Sequence, residues 1–316
     1  MSVEYFSLRF CRKTDSDTDT DSDTDTDSDT DTDTDTDSDT DTGTGTESNE
    51  PQMYFFLCFG QSNMSGQADA SGADNNPPDR LKVLAAAAHS GRTVGEIYPA
   101  VPPLAHSGSK MGPADFFGRK MVSVLPENIT VVIINVSIGG QSIELFQPNV
   151  NINTYIAEQT AMNSGFSGDW WAGYLNEYGG DLYARMVAMG NKAEELGKLK
   201  GILLHQGEAD WTDVKPRWPS LVKNTYDNLV QDIGVNPDDV PLLVGELGYE
   251  NQGGDMGWFN GEVISQIPGL IPNSYVISAD GCPMLVEASY TLHFTRPGYE
   301  MLGERYADKM LELLGY

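Results

Sequence analysis

The stretch Thr130–Val136, TVVIINV, restricts the fold more than any other part of the chain. Its β-branched residues fall on both faces of any strand it forms, so neither face can be left to water. Such a strand belongs in the middle of a sheet with helices packed over both sides. Four further short apolar runs join it: Met53–Phe59, Gly201–His205, Pro241–Glu246 and Ser274–Ser278. Between them the apolar spacing becomes that of helices, over Ala114–Leu125, Asp181–Leu196, Leu221–Ile233 and Phe259–Ile267, and a last helix over Gly298–Leu314 closes the chain. About five strands alternating with helices predict an α/β fold, one three-layer domain around a central parallel sheet.

The front of the chain has the opposite texture. Aspartate stands at every odd position from Asp15 to Asp41, with threonine or serine between. Nothing there is apolar and the like charges repel. Residues 1–50 are therefore expected to be a disordered segment, with the folded domain over 51–316. The D-x-D-x-D pattern offers oxygen ligands, but calcium loops turn on a glycine and none occurs before Gly43. Weak, non-specific attraction of cations is the stronger expectation.

Of the net charge of −28, residues 1–50 hold 17 of 47 acids and 3 of 19 bases, so the remainder still carries −14. That balance argues against nucleic acid or an anionic membrane as partner. No run of 18 apolar residues suggests a transmembrane helix. The opening MSVEYFSLRFCRK lacks the apolar core of a signal peptide. Cys11, Cys58 and Cys282 are odd in number and form no CxxC pair, which speaks against a disulfide framework or zinc site; Cys58, inside an apolar run, reads as a core residue.

Open α/β sheets place their ligands beyond the carboxyl ends of the strands. Four segments stand there or beside the last helix: Gly60-Gln61-Ser62-Asn63-Met64, Ser137-Ile138-Gly139-Gly140-Gln141, His205-Gln206-Gly207-Glu208-Ala209-Asp210, and Leu292-His293-Phe294-Thr295. Together they hold a hydroxyl, an imidazole, carboxylates, amides and glycine turns, the parts that acyl transfer needs. Each part has a plainer alternative. Ser62 and Asp210 suit helix or turn caps, Glu208 a strand-end cap, and Gly139-Gly140 a simple turn. His89 and His106 fall in a long loop and are expected to be solvated, while His205 ends a strand and suits the core. Residues 66–112 and 137–180, rich in Gly and Pro and without periodicity, read as functional loops.

Taken in order, GQSNM, VSIGGQSI, HQGEAD and LHFTRPGYEMLG resemble the successive blocks of the SGNH-hydrolase superfamily. The resemblance is strongest to carbohydrate esterases of the sialate O-acetylesterase and acetylxylan esterase type, and runs from about Met53 to Gly315. It implies a serine esterase that removes O-acetyl groups from a carbohydrate, with no metal and no organic cofactor. Ser62 would be the nucleophile and His293 the base. The oxyanion hole would use the N–H groups of Ser62 and of Gly139 or Gly140, and the side-chain amide of Gln206, with Asn63 a weaker candidate.

The superfamily commonly sets an aspartate three residues before the histidine, and this chain has Tyr290 there. A phenol does not stabilise imidazolium as a carboxylate does. Glu208 is the expected substitute; Glu287 or Asp280, or a Ser–His dyad alone, are the alternatives. Of the five tryptophans, Trp170 and Trp171 are the first choice for stacking on a sugar, in competition with plain packing. Arg296 suits either an acidic sugar or a helix carboxylate. Two rival functions remain: a weakly active carbohydrate-binding protein on the same scaffold, which Tyr290 motivates, and a general short-chain esterase or lipase, which the long polar loops oppose.

Overall fold

The computed structural model describes residues 50–162, 170–286 and 291–316. The Asp-rich segment, Glu287, Tyr290 and the side chain of Trp170 lie outside the described residues. The strands are β1 (Gln52–Gly60), β2 (Leu81–Leu84), β3 (Ile97–Pro99), β4 (Ile129–Ser137), β5 (Lys198–His205), β6 (Leu242–Gly245) and β7 (Ser274–Ile277). They form one sheet in the order β3-β2-β4-β1-β5-β6-β7. Only the β2–β3 pair is antiparallel.

The five runs expected as strands are β1, β4, β5, β6 and β7. The other two lie in the segment expected to be a long loop. Both are short, and β3 is a partly exposed edge strand ending in Pro99, where proline can be tolerated because no further strand needs an N–H donor at that position.

Helices α1 (Ser62–Ser65), α2 (Pro113–Val124), α3 (Ile152–Met162), α4 (Trp170–Glu177), α5 (Leu182–Leu196), α6 (Trp218–Ile233), α7 (Gly257–Glu262), α8 (Ile267–Leu270) and α9 (Arg296–Leu314) follow or separate the strands. Alternate strand residues enter two different cores. Phe55, Leu57 and Phe59 of β1 join Val132, Ile134 and Val136 of β4 under α5 and α6. Phe56 and Cys58 join Val131 and Ile133 under α2 and α9. Each fully buried Leu, Ile or Phe contributes ~2–3 kcal/mol, so strands apolar on both faces require both helical layers. Cys58 lies in the second core, where burial, then the nearby Asp115, pushes its thiol pKa far up. Among the described residues no helix is long and apolar enough to cross a membrane.

The end of β1 positions everything that follows. Gly60 pairs with Ser137 of β4 on one side and His205 of β5 on the other. Its φ is +145°, and a Cβ there would lie 2.0 Å from the His205 carbonyl oxygen. Only glycine fits. The three central strands therefore release their following segments side by side.

Candidate active site

Gln61-Ser62-Asn63, Ile138-Gly139-Gly140 and Gln206-Gly207-Glu208 emerge next to one another at this sheet edge. His293 arrives from the other end of the chain. Its segment is held by a short antiparallel bridge, in which Leu285 N–H donates to the His293 carbonyl at 2.7 Å and Thr295 N–H to the Pro283 carbonyl at 2.9 Å. Thr295 then caps α9 through its side chain. These constraints bring His293 Nε2 to 2.9 Å from Ser62 Oγ, across 231 positions of sequence.

Ser62 opens the one-turn helix α1 without acting as its cap, since the cap position is Gln61. Among the described residues no acceptor takes the backbone N–H of Ser62 or of Gly140. Gly140 has φ +72°, a left-handed turn that glycine adopts without strain. Both residues line a pocket of about 1220 Å³, together with Gln61, His106, Trp211 and His293.

Three expectations are corrected here. Gln206 is fully buried, and its amide is spent inside the protein. Its Nε2 donates to Asp210 Oδ2 (2.5 Å), the Gln141 carbonyl (3.1 Å) and Gln61 Oε1 (3.3 Å), while its Oε1 accepts from Trp218 Nε1 (2.5 Å). It is a brace between segments, not an oxyanion donor. Asn63 is likewise buried and fully engaged.

Glu208, second, makes no direct contact with His293. Its Oε1 accepts from Asn63 Nδ2 at 2.5 Å and lies 3.5 Å from His205 Nε2. Burial pushes its pKa up, but His205 and the Asn63 hydrogen bond outweigh burial and hold the carboxyl below the usual range. Asp280 sits on an exposed turn beside Arg305, away from the pocket.

Third, Trp171 is 4% exposed and packs edge-on against Tyr155, so it belongs to the core. Among the described tryptophan side chains, Trp211, 60% exposed on the pocket rim, is the one open to a ligand there.

Other groups also depart from expectation. His89 and His106 are buried rather than solvated. His106 stacks on Tyr174 at 4.0 Å between ring centres; burial, then the neighbouring His89, lowers its pKa to about 4, leaving a neutral ring in the pocket wall. Asp210 caps nothing in its own segment. Its Oδ2 accepts from Ile143 N–H at 2.9 Å and from Gln206, which ties the segment after β5 to the segment after β4. Arg296 turns away to Asp74 at 2.9 Å.

Gln61 is the residue that sequence reasoning passed over. Its Oε1 accepts from Gln206 Nε2 and from Ala209 N–H (3.1 Å). With the oxygen so held, the amide nitrogen is the end left for the pocket that Gln61 lines. The glutamine in GQSN was visible, but nothing in sequence told which of two amides, Gln61 or Gln206, would be left with an open nitrogen. Among the described residues no group of three His, Cys, Asp or Glu side chains could hold a metal ion.

The sequence model of the carbohydrate esterase family described as sialic acid-specific acetylesterase matches residues 52–312. Among solved structures, NanS superposes with TM-score 0.61 at 17% identity, over 84% of this chain and 98% of that one. A protein from Arabidopsis thaliana gives TM-score 0.60 at 17% identity, over 83% and 99%. A carbohydrate acetylesterase from Xanthomonas citri gives 0.53 at 19%, over 82% of this chain and 56% of that one. At these identities the structures share the fold.

Proposed function

Since the chain belongs to the sialic acid-specific acetylesterase family of carbohydrate esterases, and is a carboxylic ester hydrolase, we propose that Ser62 is its nucleophile and an uncharged O-acetylated carbohydrate its substrate. The observation that carries the mechanism is the 2.9 Å contact between Ser62 Oγ and His293 Nε2 in a pocket lined with open N–H donors. His293 takes the hydroxyl proton as Oγ bonds to the acetyl carbonyl carbon. The negative charge then on the carbonyl oxygen is met by the N–H groups of Ser62 and Gly140 and by the Gln61 amide. Collapse breaks the bond to the sugar oxygen, which leaves with the proton from His293. Water attacks the acetyl-serine by the same route in reverse, and acetate departs.

The pocket's charge supports the uncharged sugar. Of the Lys and Arg side chains among the described residues, only Arg217 lines it, and Arg217 is paired with Glu144 at 2.8 Å. Glu158 and Asp213 add exposed negative charge on the rim. A sugar carboxylate would meet repulsion there, whereas Trp211 offers a flat apolar face to a neutral ring.

Acetate release from 4-nitrophenyl acetate and from acetylated glycans tests both parts. Ser62→Ala is expected to lose ~10⁴-fold or more in kcat; a retained rate would remove the nucleophile assignment. Acetylated xylo-oligosaccharide should have the higher kcat/KM than O-acetylated sialic acid, most clearly at low salt. The reverse preference would overturn the substrate reading and leave the mechanism intact.

A further inference from the structure

All four hydrogen-bonding positions of the buried Asn63 amide are used. Nδ2 donates to Glu208 Oε1 at 2.5 Å and to the Leu292 carbonyl at 2.8 Å. Oδ1 accepts from the Tyr299 hydroxyl at 2.8 Å and from the Phe294 N–H at 3.4 Å. Two of these partners are the peptide groups immediately before and after His293. The side chain next to the nucleophile thus grips the base's backbone on both sides.

The geometry points to Asn63 as the positioning residue that holds His293 against Ser62, with Glu208 acting through it. The inference rests on the Ser62–His293 reading. Asparagine is suited to the task because the position must donate twice and accept twice. A flipped amide would set its oxygen against a carboxylate and a carbonyl. Glu208 is held ionised, and a charged acceptor fixes which end carries the nitrogen. An aspartate at 63 would place a second carboxylate on Glu208, and an alanine would leave a buried carboxylate without its donor. One arrangement thereby accounts for the asparagine of GQSN and the acid of HQGE.

The test uses the full chain, kcat and KM on 4-nitrophenyl acetate, and the rate at which a fluorophosphonate labels Ser62. Loosening the pair by a fraction of an ångström to 1 Å costs up to ~10²-fold, so Asn63→Ala should lose about that much in kcat and labelling rate, with KM little changed. Glu208→Ala should follow it. Glu208→Gln, which keeps an acceptor oxygen for Asn63, should stay within about tenfold of the parent. A folded Asn63→Ala with parental kcat overturns the inference. So does Glu208→Gln falling as far as Glu208→Ala, which would return the carboxylate charge to a direct role on the imidazolium. Should Asn63→Ala not fold, Tyr299→Phe decides: it keeps the ring and removes one donor, and a several-fold loss of kcat is expected, while an unchanged kcat overturns the inference. An active Ser62→Ala would instead sink the serine reading itself.

Discussion

The floor of the pocket and its rim are built on opposite terms. Beneath Ser62, Asn63, His205, Gln206 and Asp210 are fully buried, and Asn63, Gln206 and Asp210 are tied to one another's segments by short hydrogen bonds. At the rim, Trp211 is 60% exposed, and Glu158 and Asp213 stand in water. Leaving a buried polar group unpaired costs ~1–3 kcal/mol, whereas an exposed ion pair is worth ~0–1 kcal/mol. The floor is therefore intolerant of change and the rim permissive. In such a molecule the reaction is fixed by the sheet, and the choice of sugar is left to residues that can be exchanged at little cost.

The contrast makes graded predictions. Gly60→Ala should be the most damaging, because its Cβ would strike backbone at a positive φ; a loss of about 3 kcal/mol or more in urea unfolding is expected. A parental unfolding midpoint would mean that the floor can yield. Gln61→Ala should lower kcat by ~10²-fold, the effect of one oxyanion donor, and cost ~1–3 kcal/mol of stability for the Ala209 and Gln206 donors it leaves without their acceptor. An unchanged kcat would move that donor to another group.

The buried acids come next. Burial pushes Asp115 up to about 7 and Asp210 up to about 6, from 3.8. A raised folded-state pKa means that the native state holds the proton more tightly. Their contribution to stability is complete below pH 3.8 and is lost as pH rises through 6 and 7. Asp115→Asn should flatten the fall in stability between pH 4 and 8, read from unfolding midpoints across that range. A slope of the opposite sign would show that Asp115 is ionised in the native interior. Smallest, Trp211→Ala should raise KM on an acetylated oligosaccharide by several-fold, about 1 kcal/mol, and leave 4-nitrophenyl acetate unaffected. Equal effects on both substrates would place Trp211 in the floor's machinery.

The sheet was largely legible because β1 and β4 are apolar on both faces, a pattern with few alternatives. β2 and β3 escaped, being four and three residues long and set among turn formers. Ser62 and His293 could be named from their blocks, and the structure sets them within reach of each other. The directions of the amides and acids around them could not be read. In HQGE and GQSN a side chain's partner depends on the turn after a strand end, where the two-residue alternation no longer holds. Trp171 and Trp211 differ only in surroundings, which composition does not encode.

Gly60 has a last consequence. Because the central strand ends between its two neighbours at that residue, Ser62 and the Gly139-Gly140 turn are mounted on the innermost part of the sheet. Amide protons there are expected to exchange only when the whole domain opens. Loss of turnover on heating should accordingly coincide with global melting, with no inactive but folded form preceding it.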